Sequence, residues 1–267
     1  MLASLLRAIL LSQVLLGAAM AYWLYQRGVL PAWGMVGALA LPFATLVLVD
    51  IVSAIRSRPG EGARLWWRAL RGEWVAGIRV FVLRQPWTFQ PPKVQKPQGA
   101  ATRIPVLLVH GYTCNHRIWD GMAQALRRRG HTVYAVNLEP LFTSIDHYAQ
   151  PLETAMAELL EATGAPHIAL VGHSMGGLAI RALMRQRGHA QIARVLTLGS
   201  PHQGTLLAKG AATANGRQMV WQSRWLQDLA ASETPQMRAV PDGHCAPGQY
   251  RLSPACPGAR RRHPRVF

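Results

Sequence analysis

A serine held between two glycines, with a strand before it and a helix after it, leaves this chain few folds to choose from. The stretch is Gly172-His173-Ser174-Met175-Gly176-Gly177. His167 to Val171 forms a short apolar run that reads as a buried strand, and Leu178 to Met184 carries apolar residues at helical spacing. A bulky side chain at Gly172 or Gly176, two residues either side of the serine, would block so tight a turn. The pattern predicts a nucleophile elbow, a sharp strand-to-helix turn that lifts the Ser174 hydroxyl clear of the sheet. Glycine and serine are common, so G-x-S-x-G alone is weak; the flanking strand and helix give it meaning.

The same alternation continues on both sides. Strands are expected at Ile104 to Val109, Thr132 to Val136 and Ile192 to Leu198, and helices at Ile118 to Arg129, Leu152 to Ala162 and around Ile180 to Gln186. Strands alternating with helices predict an α/β fold, a doubly wound and mostly parallel sheet. Four segments result: a membrane hairpin at 1–55, a juxtamembrane segment and Pro-rich linker at 56–102, the α/β core at 103–240, and an irregular basic tail at 241–267.

The first segment is apolar from Ala8 to Tyr25 and again from Leu30 to Ile55. Each run approaches the ~20 residues that cross a bilayer core. Tyr22, Trp23 and Tyr25 end the first run and Trp33 opens the second, where an aromatic belt would lie. A transmembrane helical hairpin is therefore expected. Arg7 precedes it, only Arg27 occupies its loop, and Arg56, Arg58, Arg64, Arg68 and Arg71 follow it, which places both ends on the cytoplasmic side. The rival reading is a signal peptide with Ala19-Met20-Ala21 as its cleavage site. The positive charge after Ile55 resists translocation and favours the hairpin. Gly60 to Phe89 mixes tryptophan and arginine and reads either as a membrane-surface helix or as a helix or first strands packed on the following domain. Gln85 to Thr102 is Pro-rich and reads as a connector.

The formal charge of +17 raises the question of nucleic acid, but the arginines concentrate beside the apolar N-terminus and in the last eight residues. No zinc-finger spacing or aromatic RNA-binding motif accompanies them, so no nucleic-acid partner is expected. Cys114, Cys245 and Cys256 form no disulfide framework or metal set, and no metal or cofactor is expected.

Three motifs in order, Val109-His110-Gly111-Tyr112, the Gly-His-Ser-Met-Gly-Gly elbow and Gly199-Ser200-Pro201-His202-Gln203-Gly204-Thr205, resemble an α/β-hydrolase of the bacterial triacylglycerol lipase and esterase kind. The resemblance runs from about Arg103 to about Arg238. It implies hydrolysis of a carboxylic, lipid or small ester, and together with the arginine distribution the expectation is a bacterial inner membrane with the hydrolase domain on its cytoplasmic side. Ser174 is the expected nucleophile, and Met175, at the start of the helix, the expected donor of one oxyanion N–H. The resemblance makes Tyr112 the second donor. His110, Gly111, Gly172, His173 and Gly176 are expected to shape the loops. His116 and His131 read as surface residues, Asp146 as a helix cap, and Leu206 to Leu229 as either a lid bearing Trp221 and Trp225 or ordinary helix packing.

The acid and histidine of a triad do not emerge. Asp242 and His263 have the right order, but Pro241 to Phe267 holds five prolines and five arginines and cannot supply the buried parallel strands that would position them. Read one nucleotide later, codons for Gly248 to Pro254 allow Asp-Asn-Ile-Val-Ser-Pro, similar to the family's catalytic-acid loop. We therefore expect a truncated or frame-shifted C-terminus, which DNA across codons 236 to 267 would test. Two functions follow: a membrane-anchored serine hydrolase, or a catalytically impaired hydrolase acting as a membrane-tethered scaffold.

Overall fold

The computed structural model describes residues 1–29 and 63–233, with 48 and 51 in addition. Four strands form one parallel sheet: β1 (Val106–Val109), β2 (Val133–Ala135), β3 (Ile168–His173) and β4 (Ile192–Leu198), in the order β2-β1-β3-β4. Helices cover both faces. With α1 (Leu2–Gln26) and α2 (Ala63–Gly77) preceding the sheet, the helices that alternate with the strands are α3 (Asp120–Arg128), α4 (Ala149–Thr163) and α5 (Met175–Arg187). Two short helices follow, α6 (Ala214–Gln218) and α7 (Arg224–Ala231). This is the doubly wound α/β arrangement that the alternation predicts.

The strands read as continuous apolar runs because both of their faces are buried. Leu107, Val109 and Leu170 point into the larger core with Leu152, Leu159, Leu178 and Leu183 of α4 and α5. Val106, Leu108 and Val171 point the other way, against Trp119 and Ala123 at α3. The period-2 alternation of side chains divides each strand between two cores.

Several elements differ from the sequence expectation. The helix expected over Ile118 to Arg129 is a 3-10 turn, His116–Trp119, running into α3. Asn115 caps that turn by accepting from Arg117 N–H. The first apolar run is helical well before Ala8, from Leu2. The Gln85 to Thr102 stretch does more than connect. It contains a 3-10 turn at Gln85–Trp87, and Gln95 exchanges backbone hydrogen bonds with Val133 at 2.8 and 3.0 Å, which closes the outer edge of β2. On the opposite side, among the described residues, β4 has no outer neighbour, and its Ala193, Arg194 and Leu196 are exposed.

Of α1 only Leu2 and Ala21 are buried, while Leu11, Leu15, Leu16 and Met20 are exposed, and the helix is long and apolar enough to cross a membrane. Its amino-terminal end lies against the sheet domain: Leu2 is buried, Met1 N is 2.9 Å from Glu139 Oε1, and the Arg7 guanidinium stacks over the Phe89 ring at 5.2 Å. The second apolar run, Leu30 to Ile55, and the tail from 234, with Asp242 and His263, lie outside the described residues.

Candidate active site

Ser174 sits at the carboxyl end of β3 in a backbone conformation that few residues with a side chain adopt, φ 52° and ψ −124°. Such a conformation costs about 1–3 kcal/mol and persists only where the surroundings enforce it. Here they do. Ser174 N–H donates to Leu198 O at 2.9 Å, tying the turn to β4, and Gly177 N–H returns to Ser174 O at 3.1 Å. A Cβ on Gly172 would stand 2.7 Å from Gly177 N, and one on Gly176 would strike the Val109 and His110 carbonyls. The glycines are thus demanded by close approach of backbone to backbone. The helix after the elbow presses directly on the end of β1.

The loop after β1 completes the surroundings of the hydroxyl. A Cβ on Gly111 would be 2.8 Å from Ser174 Cβ, so this loop lies against Ser174. The loop is clamped at several points. Thr113, at φ 52°, donates its hydroxyl to Tyr112 O at 2.8 Å, and Cys114 N–H reaches Gly111 O at 3.3 Å. The Tyr112 ring packs against Phe142 at 5.7 Å, and its hydroxyl is 3.1 Å from Thr213 Oγ1. Two N–H groups of the site, Tyr112 and Met175, have no hydrogen-bond acceptor among the described residues. Met175 opens α5, where the first-turn donors have no intrahelical partner and the helix dipole favours negative charge.

His110 is fully occupied by the backbone. Its Nδ1–H donates to Gly111 O at 2.9 Å, which leaves Nε2 to accept from Leu138 N–H at 2.9 Å. Burial holds its pKa down at about 4, against an ordinary value of 6.5. His173 is also pushed down by burial, and its ring meets Trp119 edge-on at 6.3 Å. Neither histidine is hydrogen-bonded to Ser174 Oγ, and no carboxylate among the described residues is either. His202, downstream, is 3.0 Å from Thr197 Oγ1 through Nε2, and its carbonyl accepts from Arg181, itself paired with Glu233. His189 is exposed at the opposite, amino-terminal end of the sheet.

Three smaller expectations are corrected. His116 is not a surface residue: its backbone N–H donates to Asn137 Oδ1 at 2.9 Å with Nδ1 3.0 Å from the same oxygen, and burial lowers its pKa. His131 is half-buried and donates to Ile104 O at 2.7 Å. Asp146 does not cap the helix after it. Ser144 caps the turn, and Asp146 instead pairs with Arg185 and accepts from Trp225 Nε1 at 2.7 Å. That bond fastens α7 over α5, so Trp225 is engaged in helix packing. A site partner that the sequence did not suggest is Gln85, wholly buried. Its Oε1 accepts Asn115 N–H at 2.6 Å, and its carbonyl accepts Asn115 Nδ2 at 3.1 Å. Only the four-residue separation of Asn115 from Gly111 hinted at it.

Residues 106–265 match the model of the alpha/beta hydrolase family. The chain belongs to that family. The matched range begins at β1 and continues beyond the described residues. Among similar proteins, a triacylglycerol lipase of Burkholderia plantarii is 33% identical over 167 residues, 59% of this chain and 44% of the relative. A triacylglycerol lipase of Pseudarthrobacter phenanthrenivorans is 36% identical over 118 residues, 41% of this chain and 36% of its own. The chain therefore spans less than half the length of these curated relatives. Among solved structures, the Bacillus licheniformis lipase BlEst2 in mature form shares the fold with a TM-score of 0.50 at 18% identity, covering 57% of this chain and 71% of that one. The lipase and esterase resemblance holds at the level of family and fold.

A cavity of about 380 Å³ does not adjoin the elbow. It lies between the Trp87–Gln95 stretch and the start of α3, lined by Trp87, Phe89, Lys93, His116, Arg117 and Asp120. It is open and polar, and Arg117 and Asp120 there are paired with each other at 2.8 Å. Among the described residues the elbow is the better candidate site, because there a serine in a strained backbone conformation converges with the unpaired N–H groups of Tyr112 and Met175.

Proposed function

We propose that this chain is a membrane-anchored serine hydrolase that cleaves carboxylic, lipid esters through an acyl-enzyme on Ser174. The observation that carries the reading is the Ser174 backbone at φ 52°, set beside the unpaired N–H groups of Tyr112 and Met175. Ser174 Oγ attacks the ester carbonyl as a base removes its proton. Both N–H groups then donate to the oxyanion, and losing one such donor costs about 10²–10³ in rate. Collapse expels the alcohol, which takes the proton from the base. Water attacks the acyl-enzyme with the same base accepting its proton, and the acid leaves as the base returns that proton to Ser174 Oγ. No metal or cofactor takes part. Gly111, Gly172 and Gly176 give the loops room, and His110 and His173 position them.

The base is the open term. It requires an imidazole within hydrogen-bond reach of Ser174 Oγ, and no histidine among the described residues is bonded to it. That observation supports the second reading, a catalytically impaired hydrolase retained as a membrane-tethered scaffold. The exposed apolar helix α1 supports the anchor, and the chain leads away along α1 to Gln26 yet is back at the domain by Gln85, as a hairpin of 1–55 requires. Segments 56–102, 103–240 and 241–267 then serve as membrane-surface collar and linker, catalytic core and tail, with the core on the cytoplasmic side of a bacterial inner membrane.

An alkyl fluorophosphonate tests both readings in the full-length protein. Labelling that disappears in Ser174→Ala, together with turnover of a soluble p-nitrophenyl ester, establishes the hydrolase. Folded protein that neither labels nor turns over establishes the scaffold. Protease accessibility in spheroplasts and in inverted vesicles reads the side of the membrane.

A further inference from the structure

We infer that the catalytic mouth of this protein faces the bilayer and takes its ester laterally from the leaflet in which α1 is embedded. The inference rests on the proposed hydrolase reading and adds the substrate class, a bilayer-resident long-chain ester.

The argument is one of position. α1 docks on the sheet domain at the end that carries Ser174. One route of contact runs from Met1 N to Glu139 at 2.9 Å, then from Leu138 N–H to His110, and through Gly111 to Ser174. A second runs from α1 to the Gln85–Trp87 turn and through the Gln85–Asn115 hydrogen bonds to the loop that holds Tyr112. Both routes end at the carboxyl ends of β1 and β3. A helix that merely tethered the domain could dock anywhere on it.

The depth follows from helix geometry. Arg7 is the last charge before the apolar run and marks the level of the headgroups. Phe89, 73% exposed, lies under its guanidinium and so shares that level. From Arg7 back to Met1 is six residues, a rise of ~9 Å. Glu139 therefore stands about that far above the membrane boundary, and His110 and Ser174 follow from it through the contacts above. Trp87, Leu206 and Leu207, each half-exposed, belong to segments at this same end of the sheet. Arg68, Arg71, Arg79 and Arg84 crowd the chain that returns to the domain, and they suit an anionic leaflet surface. A lipid surface accounts for exposed aromatics beside arginines at the foot of an apolar helix, and a second copy of the chain, equally cationic, would be repelled.

Depth can be measured without turnover. Nitroxide labels are placed singly on Ser174→Cys, Phe89→Cys and Glu161→Cys in full-length protein carrying Cys114→Ala, Cys245→Ser and Cys256→Ser, reconstituted into phosphatidylcholine–phosphatidylglycerol vesicles. Glu161 is exposed near the end of α4, at the far side of the sheet, and serves as the aqueous reference. The expected result is a Phe89 label relaxed preferentially by oxygen, a Ser174 label intermediate, and a Glu161 label relaxed by a water-soluble nickel chelate. A Ser174 label as accessible to nickel as Glu161 overturns the inference, as does a Phe89 label shielded from both relaxants by a dimer contact.

Reactivity supplies the second arm. In the protein with its native cysteines, Phe89→Ser should slow labelling by a long-chain fluorophosphonate held in vesicles about tenfold, while leaving a short, water-soluble fluorophosphonate unchanged. Equal slowing of both, or of neither, sinks lateral delivery. If neither probe reacts with the parent protein, the hydrolase reading fails and the inference fails with it as a statement about substrate, whatever the depth of Ser174.

Discussion

His110 shows how one buried side chain can make stability depend on pH. Its two ring nitrogens hold Gly111 O and Leu138 N–H, and the second bond requires the neutral ring. The folded pKa of about 4 lies below the unfolded value of 6.5, so between these values the unfolded chain binds a proton that the folded chain refuses. Stability should therefore be full above about pH 6.5 and fall as pH drops towards 4, by roughly 3 kcal/mol. His116 and His173 are lowered by burial too and add to the same slope. Urea midpoints between pH 7 and pH 4 check this, and His110→Asn should make the dependence shallower. At neutral pH that variant should also lose about 1–3 kcal/mol, because a buried N–H and carbonyl lose their partner. At the elbow, Gly176→Ala forces a methyl into the Val109 and His110 carbonyls. It should cost about 1–3 kcal/mol in thermal or urea unfolding and slow fluorophosphonate labelling by displacing Ser174.

Among the elements, α7 is held by Asp146 as well as by its buried Leu226 and Leu229 and its Ser223 cap. Asp146 pairs with Arg185 and accepts from Trp225, whose ring also lies under the Arg185 guanidinium at 5.8 Å. Trp225→Phe removes one hydrogen bond to a charged acceptor and should cost about 1.5–3 kcal/mol by urea unfolding. Asp146→Ala strips partners from both Trp225 and Arg185 and should cost more. The double variant should cost less than the sum, because the two changes share one interaction. None of this was legible beforehand. Asp146 and Trp225 are 79 residues apart, and a lone aspartate before a helix looks like a cap. The elbow was legible because its causes are local: a strand of buried residues, two glycines and an amphipathic continuation all lie within one short window. Its neighbour Gln85, bonded across 30 residues to Asn115, was not.

At the scale of the molecule, the two sheet edges have different fates. Gln95 closes β2, whereas β4 exposes Arg194 and Leu196 with no outer strand among the described residues. An edge strand among the described residues that carries an exposed leucine invites pairing between copies. Leu196→Lys should therefore reduce light scattering on concentration or heating in detergent, with little change in the unfolding midpoint. The alternation of strands and helices already required a layered sheet, and the apolar N-terminal run already required a long exposed helix, because both are periodicities written along contiguous residues. The side of the domain on which that helix docks is different in kind. It depends on Leu2, Glu139, Gln85 and Asn115 meeting across distant parts of the chain, and no local pattern encodes such a meeting. The sequence by itself determined a strained serine turn on an α/β sheet behind an apolar helix. Only the tertiary structure decided that the serine and the helix share one end of the sheet, because relative placement is set by packing between elements rather than within them.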